Sequence, residues 1–124
     1  MSVSFSARFL AHGADIALPV AHVEDLNLNQ GNAALLLGLL ELDRGHHAKY
    51  GFIGQVPARD FAERVALAEV CDLVGARPGF EDVRWTEVGS SAAYLRAKLH
   101  ELAELARAAI ALTGDGGDGF VAWG

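Results

Sequence analysis

An α+β fold is predicted for these 124 residues: a mainly antiparallel sheet of about four strands, ordered β-β-α-α-β-α-β and packed with three helices. Three observations point there. Apolar and polar residues alternate with a period of two at residues 2–9, again at 16–20 and again at Val83–Val88, helical patterns fill three longer stretches, and the spacing between them lacks the regularity of β-α-β units. No linker, repeat or change of composition divides the chain, so residues 1–124 read as a single domain.

The elements follow in order. Val3, Phe5, Ala7 and Phe9 alternate with Ser2, Ser4, Ser6 and Arg8, as in a half-buried strand. His12-Gly13-Ala14-Asp15 signals a turn, and Ile16, Leu18 and Val20 resume the alternation, giving an antiparallel hairpin. Pro19 removes a ladder donor and places this second strand at an edge or an irregularity. Asn27-Leu28-Asn29-Gln30 carries helix-cap chemistry. Asn27 can accept from a first-turn amide while Gln30 reaches back, with Asn29 or Asn32 as the other candidate caps. That helix should run to about Leu42, ended by Asp43-Arg44-Gly45. Its leucines lie nearly all round, which predicts burial on more than one side. Gly31 and Gly38 share a face. Each interior glycine costs about 1 kcal/mol relative to alanine, and close approach of another backbone is the expected compensation.

His46 to Gln55 reads as a loop, and Pro57 suits the first turn of a second helix. That helix is expected to reach about Val74, with Arg59–Glu63 and Asp60–Arg64 pairs on its exposed side, before Gly75, Pro78 and Gly79 end it. Val83–Val88 follows as a strand. Ser90 or Ser91 caps the third and longest helix, which extends to about Leu112. Its inward stripe is Leu95, Leu99, Leu102, Ala106 and Ala109, joined by Leu105 and Ile110, with Arg96, His100, Glu104 and Arg107 as a polar ridge opposite. Asp115–Gly119 is a flexible turn, and Phe120–Trp123 is a short final strand.

Composition removes several classes of function. The formal charge is -6 and the basic residues are scattered, so the footprint that nucleic acids or anionic membranes require is missing. An apolar fraction of 52% excludes intrinsic disorder. The longest apolar run, Ala33 to Leu40, falls far short of the ~20 residues of a membrane span. The N-terminal residues lack a secretory pattern, and the single Cys71 has no internal disulfide partner; a cytoplasmic location is expected.

The motifs that carry chemistry each have a plainer account. His12, His22, His46, His47 and His100 show no HxH, HxxxH or HExxH spacing, and one cysteine is too few for a usual structural zinc site, so no metal and no cofactor is expected. Asn27, Asn29 and Asn32 can bind a polar ligand at a helix N-terminus, where amides and the dipole favour anions; capping and strand-to-helix ties account for the same residues. Asp115-Gly116-Gly117-Asp118-Gly119 lacks the distant glutamate of a calcium loop and the lysine of a phosphate loop. No nucleophile elbow surrounds Ser90-Ser91, and Cys71, among Val70, Leu73 and Val74, is expected to be a small buried hydrophobe. Tyr50, Phe52, Phe80 and Tyr94 lie in loops and at a helix start, where aromatics either fold over the core or form contact surfaces.

Leu26-Asn27-Leu28-Asn29 before an Ala/Leu-rich helix, Tyr94-Leu95 opening a long helix, and Val121-Ala122-Trp123 together resemble a set of small uncharacterised bacterial proteins. That set shares an Asn-x-Asn motif, two further helices and a closing strand with tryptophan. The resemblance covers roughly residues 24–124 and implies a self-contained bacterial domain; it carries over no activity and no site residues and adds nothing on chemistry. Two functional expectations remain. One is a protein-interaction domain without catalysis that binds another protein or its own copies as a homo-oligomer, using Tyr50, Phe52, Phe80 and Tyr94. The other is a small-molecule binding domain or minor enzyme, its pocket near the first helix lined by Asn27, Asn29, Asn32, His46, His47 and Trp85.

Overall fold

The strongly alternating first segment forms β1 (Ser2–Leu10), and every other strand is arranged around it. The computed structural model describes residues 2–10, 17–42, 54–76, 92–113 and 118–124. Along one edge of β1 two short strands lie end to end: β2 (Ala17–Pro19) against Arg8–Leu10, and β3 (Leu26–Asn29) against Ser2–Phe5. Along its other edge runs β5 (Gly119–Trp123), which also pairs with β4 (Gly54–Pro57). All these pairings are antiparallel, and the fold is α+β as the alternating and helical stretches predict. Pro19 stands in a strand bonded to β1 alone among the described residues, where a missing amide costs no ladder bond.

Register decides what meets in the core. Val3 faces Leu28, Phe5 faces Trp123, Ala7 faces Val121, and Val56 faces Val121 from the far side. These side chains join α1 (Gln30–Leu39), α2 (Ala58–Val70) and α4 (Ala92–Thr113) in one apolar cluster, with the short α3 (Leu73–Ala76) adding Val74. Trp123 is fully buried, its ring centroid 6.1 Å from that of Phe5. The indole lies across Gly54, where a Cβ atom would come within 2.3 Å of the ring. Only glycine leaves room for this contact.

Several boundaries differ from expectation. Residues 26–29 are a strand as well as a cap, and β4 occupies the end of the expected loop, with Pro57 closing the strand and standing as the N-cap of α2. Both strands are four residues long; the Leu26-Asn27-Leu28-Asn29 alternation of β3 coincides with the cap chemistry of α1, while β4 owes its conformation to the strand it pairs with. α1 stops at Leu39, because Glu41 turns into the left-handed region at φ 58°. Arg64, held by Asp60 at 3.0 Å, donates to the Leu40 carbonyl at 2.8 Å and so satisfies an acceptor that the end of α1 leaves free. Among the described residues the expected close approach at the α1 glycines is not seen: a Cβ on Gly38 would meet nothing within 4 Å, and one on Gly31 would meet only Asn29 Oδ1. α2 ends at Val70, not Val74, because Asp72 adopts a left-handed φ of 45° before α3 begins. α4 matches its predicted span and buries Leu95, Leu99, Leu102, Leu105, Ala106 and Ala109. The expected strand at Val83–Val88, the caps Ser90 and Ser91 and the turn at His12–Asp15 lie outside the described residues.

Candidate functional site

The three asparagines come together at the junction of β3 and α1, each engaged there by interactions within the chain. Asn27, opposite Ser4 in the ladder, accepts a hydrogen bond from the Ser4 hydroxyl. Asn29 is the N-cap: its Oδ1 accepts from the backbone N–H of Asn32 at 2.7 Å. Asn32 is buried, at 2% exposure, inside the first turn. Strand alternation sends Asn27 and Asn29 to the face opposite Leu28, so they do not line the apolar core.

The other residues expected near this site, His46, His47 and Trp85, lie outside the described residues, as do Tyr50, Phe52 and Phe80. Tyr94 is half-buried at the start of α4, packed against the core with the Lys98 ammonium 5.3 Å from its ring centroid. Lys98 also pairs with Glu101 at 2.9 Å, and that hydrogen bond raises its pKa above the ordinary lysine value. His22 sits exposed in a turn at φ 63°, and His100 is exposed 3.5 Å from Glu104. Among the described residues, no group of three or more His, Cys, Asp or Glu side chains is placed to hold a metal ion.

A different region stands out on α2. Its inward positions are Ala58, Phe61, Val65 and Ala68, packed along α4. The opposite side carries Leu67, 61% exposed, and Val70, 85% exposed, three residues apart and therefore neighbours on the helix surface. Cys71 follows them as the C-cap and is exposed, which corrects the expectation of a buried thiol. The cause is the early end of α2: the left-handed turn at Asp72 leaves Cys71 outside the core, while Val74 of α3 enters it.

Beside this ridge, Ala68, Glu69, Asp72, Val74, Arg96 and Leu99 line a cleft of about 130 Å³. Arg96 grips Asp72 with two bonds, Nε to Oδ1 and Nη2 to Oδ2, each 3.0 Å. The Asp72 carboxyl is held below the usual aspartate range, principally by the hydrogen bond from Arg96, while the same contact raises the guanidinium. Ligand pockets usually offer ~300–1,000 Å³, so this cleft suits an ion pair better than a metabolite. Sequence reading missed the ridge because Leu67 and Val70 look like further core positions. The available signal was the set Phe61, Val65 and Ala68, whose 3–4 residue spacing already defines a complete inward stripe.

The chain matches no protein-family model, no curated protein and no solved structure.

Proposed function

We propose that this chain works by contact, as a small protein-binding domain that associates with its own copies through the outer side of α2. The single observation that carries the reading is the exposure of Leu67 and Val70, two large aliphatic side chains adjacent on one helix surface. Apolar groups at a contact centre supply most of the driving force for association. The long helix offers a poorer surface. Its outer ridge is charged and internally paired, Arg107 with Glu104 at 2.7 Å and Lys98 with Glu101 at 2.9 Å. The β2 edge is three residues long and carries Pro19, two features that discourage strand addition. Asn27 and Asn29, the best candidates for a polar-ligand pocket, already accept from the Ser4 hydroxyl and the Asn32 amide.

Sedimentation velocity across the micromolar range tests the reading. The wild-type chain is expected to associate with rising concentration, and replacing Leu67→Lys with Val70→Lys should weaken that association at least tenfold, about 1.4 kcal/mol. Net charge of -6 opposes the meeting of two copies, so added salt should strengthen association by screening. A wild-type chain that remains monomeric throughout the range, or an association indifferent to the paired lysines, overturns the proposal.

A further inference from the structure

No further inference is drawn: the strongest candidate, the cleft between the α2–α3 turn and α4 lined by Glu69, Asp72 and Arg96, carries nothing because Asp72 and Arg96 neutralise each other across it and no second feature there points to a ligand.

Discussion

The β3–α1 junction and the outer side of α2 are opposites in how sequence and surroundings relate. At the junction, polar side chains that look like a binding site are absorbed by architecture: Ser4 bonds Asn27, and Asn29 caps α1. On α2, apolar side chains that look like architecture face water at Leu67 and Val70. Residue type therefore misleads in both directions, and what separates the two regions is whether each group has a partner. A satisfied polar group has little left to offer a ligand, whereas an exposed aliphatic group retains its full hydrophobic potential.

Removing the cap sharpens the contrast most. Asn29→Ala should cost about 1 kcal/mol, lowering Tm by about 4 °C in a domain of this size. Chemical denaturation reads it directly, and an unchanged midpoint would return Asn29 to the pool of residues available for binding. Gly38→Ala should act in the reverse sense, because a methyl group there meets nothing and the helix backbone loses freedom only in the unfolded chain. A gain of roughly 0.5–1 kcal/mol is expected; a loss would mean that the surface of α1 is in use. On the other side of the comparison, Leu67→Lys and Val70→Lys should each change the unfolding free energy by less than about 0.5 kcal/mol, measured at concentrations where the chain is monomeric. A larger loss would make these side chains part of the fold.

The smallest effect belongs to the ion pair between Asp72 in the α2–α3 turn and Arg96 on α4. Asp72 has its pKa lowered in the folded state, so its contribution is present above the ordinary aspartate range and disappears as pH falls through the lowered value. Asp72→Asn keeps a residue tolerant of the left-handed backbone while deleting the charge. The variant should melt slightly below the wild type at neutral pH, and thermal melts in acid should coincide. A gap that persists in acid would assign the effect to the hydrogen-bond geometry and remove the ionic account.

Much of the framework was legible because certain patterns admit one answer. The Val3–Phe9 alternation specifies β1 and its buried face, and the Leu95–Ala109 stripe specifies α4 together with its charged ridge. β4 was not legible, since Gly54-Gln55-Val56-Pro57 becomes a strand through the neighbour it pairs with, whereas the Leu26-Asn27-Leu28-Asn29 alternation of β3 was present but hidden behind the cap chemistry of the same residues. The same limit applies to the candidate site. The Arg59–Glu63 and Asp60–Arg64 spacing marked an outer side of α2, yet only the packing against α4 shows, among the described residues, that Leu67 and Val70 stand outside the core.

The pairing of β1 with β5 joins the two described strands most distant in sequence, with Phe5 set opposite Trp123. Closing so large a loop gains nothing until nearly all of it is done, which makes the search for the native arrangement slow relative to chain length. Until that moment β1 presents a bare flank, and Trp123 lacks the Phe5 ring it packs against. The molecule's most vulnerable interval is therefore its own assembly, when an unzipped central strand is open to capture by the wrong neighbour.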